Sequence, residues 1–173
     1  MGILDWLGIG RGELRFQPVR ATLPPDDWFV LPGHFTFGYP WPWRRSNELG
    51  AVLNWSGLRV DREILGAVEA PRVNGSARLL LWREEGLFDP VLPVVADQVG
   101  TLYGAACRAQ RRVRIGGSRA VIVEVDTPQR ERVHRMVAEW GRELLHGEMR
   151  TPLDVADGYA PHFDTMLASW AWF

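Results

Sequence analysis

At 173 residues, with 46% hydrophobic side chains and a formal net charge of −1, the chain has the size and apolar content of one folded domain and no global field that would steer it to nucleic acid or an anionic membrane. Its twenty basic side chains are all arginine, which removes P-loop, kinase and Schiff-base chemistry, each of which needs a lysine amine. The single cysteine, Cys107, excludes an intramolecular disulfide and zinc sites built from cysteine pairs, and points to a reducing compartment.

From Met1 to Arg15 there is no basic n-region, and Asp5, Gly8 and Gly10 interrupt the apolar run, so the segment reads as neither a secretory signal nor a membrane span. A cytoplasmic location is the resulting expectation. Ile3, Leu4, Trp6 and Leu7 share one side of a short helix that Gly8, Gly10 and Gly12 stop. Such a piece is either a frayed terminus or an apolar peg that docks on a partner. The expected organisation is a leader or peg with its linker over residues 1–27 and one α/β domain over 28–173.

After the turn at Pro24 to Asp27, Trp28 to Leu31 and Phe35 to Tyr39 read as short strands, the second with Phe35, Phe37 and Tyr39 on one face. The run Tyr39-Pro40-Trp41-Pro42-Trp43 cannot be a central strand, because each proline lacks a ladder donor. Ala51 to Ser56 and Ala77 to Arg83 supply two more strands, the second almost wholly apolar. Asp89-Pro90 opens a long helix, in which Val91, Val95, Val99, Leu102, Tyr103 and Ala106 recur at helical spacing up to about Arg108. Val113 to Ile115 and Ala120 to Val125 flank a Gly116-Gly117 turn, and Val133 to Trp140 and Glu143 to Arg150 flank Gly141-Arg142. Phe163, Met166, Leu167 and Trp170 mark a terminal helix that runs into Ser169-Trp170-Ala171-Trp172-Phe173, whose last residues should be tied down as a strand or core plug.

This order resembles the PsbP-like fold, shared by the extrinsic photosystem subunit PsbP, a Ran-binding nuclear import factor and LpqN-type lipoproteins. Phe37, Tyr39, Pro40 and Trp43 carry the resemblance, with Gly116, Gly117 and Ala120, then Ser169, Trp170 and Trp172; it spans Trp28 to Phe173. It implies an α+β domain: a central, mostly antiparallel sheet flanked by helices as an α/β/α sandwich. It also implies a family that binds proteins or small ligands and shares no catalytic centre. The chain lacks the signal and lipidation cysteine of the lipoprotein members, whereas chaperone-like adaptors for secreted effectors are among the cytoplasmic relatives of this fold.

The histidines, at 34, 134, 146 and 162, form no H-x-x-x-H or H-E-x-x-H pair, so no metal site is expected and no cofactor is implied. His146-x-Glu148 shares one face of a strand and with His134 could form a polar cleft, although a polar strand surface gives the same pattern. Ser118 after two glycines is a turn residue rather than a nucleophile elbow. Arg108, Arg111, Arg112 and Arg114 could grip an anion through their guanidinium forks. Nine tryptophans are the unusual feature of the composition, and Trp41 and Trp43 beside Arg44 and Arg45 form either a recognition surface or part of the core. The expected function is a non-catalytic protein-binding module, a cytoplasmic adaptor or chaperone-like accessory of a secretion or phage-like assembly. Its contacts would be the Trp41 to Arg45 segment, the N-terminal peg, or both. The alternative is a small-ligand protein or small enzyme built on His134, His146 and Glu148.

Overall fold

The structure, a computed structural model, describes residues 15–46, 63–71 and 77–173. The expected N-terminal peg at Ile3 to Leu7 and the expected strand at Ala51 to Ser56 lie outside the described residues. In chain order the elements are β1 (Gln17–Pro18), β2 (Asp27–Leu31), β3 (Phe35–Tyr39), β4 (Arg44–Arg45), β5 (Glu63–Ala70) and β6 (Ala77–Glu85). Helices α1 (Phe88–Val91) and α2 (Val95–Tyr103) follow, then β7 (Cys107–Ile115), β8 (Ser118–Asp126), β9 (Glu131–Trp140) and β10 (Glu143–Pro152), and finally α3 (Ala156–Ala168) and β11 (Ala171–Trp172).

Eight strands form a mixed sheet in the order β1-β7-β8-β9-β10-β6-β5-β4, antiparallel except for the parallel β1–β7 pair. Gln17 and Pro18, which the sequence places in the leader, are thus an edge of this sheet. A second sheet has the order β11-β3-β2. The expected α+β domain with a mostly antiparallel sheet is present, but the sheet dominates and the described helices are too few and short for the full α/β/α sandwich of that expectation. One face of the large sheet carries the short helices α1 and α2, and the other carries α3 together with the small sheet. Strand β8 is apolar on both faces because both are covered: Ala120 and Ile122 belong to the α3 side, and Val121, Val123 and Val125 to the α2 side.

The expected single helix from Asp89 to Arg108 is broken twice. Pro93 has no N–H and its ring clashes with the carbonyl four residues back, so α1 ends at Val91. Gly104 then adopts the left-handed region (φ +60°) as a C-cap, and the Ala105 N–H closes the end on the Gly100 carbonyl at 3.0 Å. Residues from Cys107 onward are released into strand β7, and Arg108 stands in that strand rather than at a helix end.

The C-terminal Ser-Trp-x-Trp sequence is a fastener for the aromatic core. The Gly38 N–H donates to Ser169 Oγ at 2.9 Å, which ties the end of α3 to β3. Trp170 stacks on Phe35 and Phe37 with centroids 4.6 and 4.8 Å apart, contacts worth about 0.5–1.5 kcal/mol each beyond area burial. Trp172 pairs with β3, stacks on Trp140 at 5.8 Å and donates its indole N–H to the Ile115 carbonyl at 3.2 Å. Gly116 beneath it is needed twice over: its φ is +53°, and a Cβ there would stand 2.7 Å from Trp172 Cδ1. Among the described residues no helix is long and apolar enough to cross a membrane.

Candidate functional site

The segment Pro24 to Asp26 and the turn Pro40 to Trp43 meet at the open end of the β2–β3 hairpin. The Asp26 N–H donates to the Tyr39 carbonyl at 3.0 Å, and Asp26 Oδ2 accepts the Trp41 N–H at 2.7 Å. The Trp41–Pro42 peptide is cis, and the Trp43 N–H returns to the Pro40 carbonyl at 3.0 Å. Beneath, the Tyr39 hydroxyl donates to Asp27 Oδ2 at 3.0 Å, and burial together with that carboxylate pushes its pKa up to about 12. A backbone held at so many points leaves the Trp41 side chain 78% exposed while Trp43, two residues on, is 5% exposed.

Trp43 is therefore a support of the segment and not an outward contact, because its indole turns in against α3. Its N–H donates to His162 Nδ1 at 3.1 Å, and its ring meets Tyr159 edge-on at 5.9 Å. An indole nitrogen only donates, so His162 Nδ1 carries no proton and the ring is neutral with its hydrogen on Nε2. Burial holds that imidazole below its ordinary pKa. Between this turn and α3 runs an open groove of about 740 Å³, walled by Pro24, Pro40, Trp41, Pro42, Tyr159 and His162, with Asp26 and Asp154 also lining it. Tyr159 and His162 are the members that the sequence reading missed. Their i, i+3 spacing on α3, beside the buried stripe of Phe163, Met166 and Leu167, is the signal that places them together on a flank of that helix.

Arg44 and Arg45 form β4 outside this groove. Arg44 pairs with Glu69 at 3.1 Å, and Arg45 lies 4.7 Å from the centre of the Phe29 ring. The arginines of β7 divide between the two faces of the sheet: alternation sets Arg111 opposite Arg112 and Arg114, and a bulge between Cys107 and Ala109 brings Arg108 to the Arg111 side. Arg108 and Arg111 fall on the α3 side and meet acids: Arg108 bonds Glu124 at 3.1 Å and Asp126 at 2.9 Å, and Arg111 bonds Asp164 at 2.8 Å. Arg112 and Arg114 face the α2 side, in register with Val121 and Arg119. Cys107 is exposed, not buried as its apolar character suggests, because the strand begins with it at the sheet edge.

The sheet separates the expected polar cleft into two halves. His134 is in register with Met149, on the α3 side, with Nε2 3.3 Å from Glu124 and its ring against Phe163. His146 and Glu148 share the opposite face, as their i, i+2 spacing requires. Glu148 has no exposed surface. Its carboxylate accepts from Arg135 at 2.9 Å, from Arg150 Nε at 2.6 Å and from the Tyr103 hydroxyl. Burial first, and then the Glu148 charge, push the Tyr103 hydroxyl pKa far up. Arg135 also lies 4.0 Å above the Trp82 ring, on which His146 stacks in parallel at 5.2 Å. A cavity of about 330 Å³ beside this network is walled by α2 and floored by Arg135, His146 and Glu84. Among the described residues no three His, Cys, Asp or Glu side chains are grouped to hold a metal ion.

No family model matches the chain, and no curated protein matches its sequence at a significant level. Solved structures do match it. The chain is similar to the solution structure of the cyanobacterial PsbP protein, CyanoP, from Synechocystis sp. PCC 6803, with a TM-score of 0.56 and 13% identity over 87% of this chain and 94% of that one. It is also similar to the crystal structure of a protein of unknown function from Pseudomonas aeruginosa, with a TM-score of 0.53 and 14% identity over 83% and 94% of the two chains. At these identities the likeness is one of architecture: the chain has the PsbP-like fold.

Proposed function

We propose that this chain is a non-catalytic protein-binding module, acting in the cytoplasm as an adaptor or chaperone-like accessory protein, for example of a secretion or phage-like assembly. Trp41 carries the reading. A large indole held 78% exposed by a backbone that Asp26 and two prolines constrain, above an apolar groove, is prepared for burial by something else. Rigid aromatic anchors of this kind dominate interface energetics, and truncating one costs about 2 kcal/mol or more of binding. The test is a photo-crosslinking aromatic residue in place of Trp41, compared with one at Leu102 on the far side of the large sheet. The reading expects a discrete protein adduct from position 41 alone, and adducts that do not differ between the two positions refute it.

A second reading, a small-ligand protein, draws support from the cavity under α2, where the buried Arg135 and His146 underlie an apolar wall. Ligand-induced protection of α2 in hydrogen exchange, lost in His146→Ala, is its signature.

A further inference from the structure

We infer that the groove beside Trp41 receives an extended, proline-containing segment of the partner that carries an arginine or lysine next to its proline. The inference rests on the protein-binding reading above and adds the chemistry of what the groove takes.

The backbone around the groove is the first ground. Pro24, Pro40 and Pro42 have no N–H, the Trp41 N–H is committed to Asp26, and the Trp43 N–H is committed to the Pro40 carbonyl. An incoming strand would therefore find no ladder donors along the Pro40 to Trp43 wall, so strand addition to that wall cannot supply the affinity. The occupant must be a segment whose own backbone stays hydrated while its side chains do the binding, and polyproline II is that conformation. Its ordering entropy is already spent before it docks, which suits a shallow groove.

The walls are the second ground. Trp41 and Tyr159 line the groove, and aromatic linings of this kind are what grooves for proline-rich segments use. Between them α3 presents Gly158, which has no side chain and where an added Cβ would meet nothing within 4 Å. That absence of a side chain makes room for the ligand.

Charge is the third ground. The chain holds twenty arginines, yet none is among the described residues that line this groove, while two carboxylates, Asp26 and Asp154, are. Asp26 is partly engaged by the Trp41 N–H, whereas Asp154 is exposed and, among the described residues, makes no ion pair. A guanidinium lying over Trp41 could reach such a carboxylate while stacking on the indole, which combines a salt bridge with a cation–π contact.

Selection from a phage-displayed library of random dodecapeptides on the whole chain tests this, with Gly158→Leu as the counter-selection target. Gly158→Leu fills the groove from a position with open space, so its melting temperature should match the parent. The expected binders contain proline beside Arg or Lys and are lost on Gly158→Leu. The best synthetic peptide should weaken at least tenfold when its basic residue becomes Glu, and two- to fivefold on Asp154→Asn. Binders that lack proline, carry helical apolar spacing or survive Gly158→Leu overturn the inference, as does a library that yields no groove-dependent binder. If that happens while position 41 still crosslinks to a protein, only the peptide chemistry is wrong and the protein-binding reading stands.

Discussion

Trp41→Ala and Trp43→Ala should behave as opposites although the residues are two apart. Trp43 is 5% exposed, fills the space between β3 and α3, donates to His162 and packs against Tyr159. Truncating a buried tryptophan leaves a cavity and costs about 3–5 kcal/mol. For a chain of this length each kcal/mol lowers Tm by roughly 2–4 °C, so Trp43→Ala should melt about 6–20 °C below the parent. Trp41 is 78% exposed, and its removal should change stability by no more than about 0.5 kcal/mol. Binding should respond in the reverse sense: loss of the exposed indole removes about 2 kcal/mol, or roughly thirtyfold in Kd. Urea unfolding of both variants, with fluorescence anisotropy of a labelled groove-binding peptide, separates the two effects. Equal destabilisation by the two substitutions, or a neutral Trp43→Ala, would refute the division of the segment into a support and an anchor.

Removing the carboxylate in Glu148→Ala strands the buried Arg135 and should cost about 3–5 kcal/mol in urea unfolding, a loss that adding Arg135→Met and Arg150→Met should largely recover; a loss under about 1 kcal/mol would show that the network is solvated. In the Gly116-Gly117 hairpin, Gly117→Ala should cost about 1–2 kcal/mol for its left-handed backbone, and Gly116→Ala more because its methyl also displaces Trp172; equal losses in thermal melts would contradict that packing. His162 titrates lower in the folded chain than its unfolded value of 6.5, so below that pH the unfolded state holds more protons. Stability should consequently fall as pH drops through 6.5 towards the folded pKa, and the difference between parent and His162→Phe melts over pH 7.5 to 5 should carry that slope; parallel profiles would remove His162 as its source.

Much of the architecture is legible in local pattern. Period-two alternation in Phe35, Phe37 and Tyr39, and in Met136, Ala138 and Trp140, places those side chains in the core below α3, since adjacent residues of a strand must point to opposite faces. The Gly116-Gly117 and Gly141-Arg142 hairpins follow from backbone chemistry, because positive φ is open to glycine at little cost. Helical spacing beyond Asp89 misled, since periodicity counts apolar positions and is blind to Pro93, which cannot donate, and to Gly104, which caps.

What the polypeptide determined by itself is therefore strands β2, β3, β6, β8, β9 and β10, the hairpin turns and the inward faces, all decided by interactions between near neighbours in the chain, whereas β1, β5 and the start of β7 carried no such local signal. Tertiary structure alone decided that Trp41 faces out while Trp43 faces in and that Tyr159 and His162 come up beside them, whereas the register of the Gly141-Arg142 hairpin already sets His134 on the face opposite His146 and Glu148. A bulge after Cys107, equally silent in local pattern, brought Arg108 to the same face as Arg111. These outcomes depend on which element covers which face, a choice made by burial across residues more than a hundred positions apart, as in the Gly38–Ser169 and Trp43–His162 hydrogen bonds.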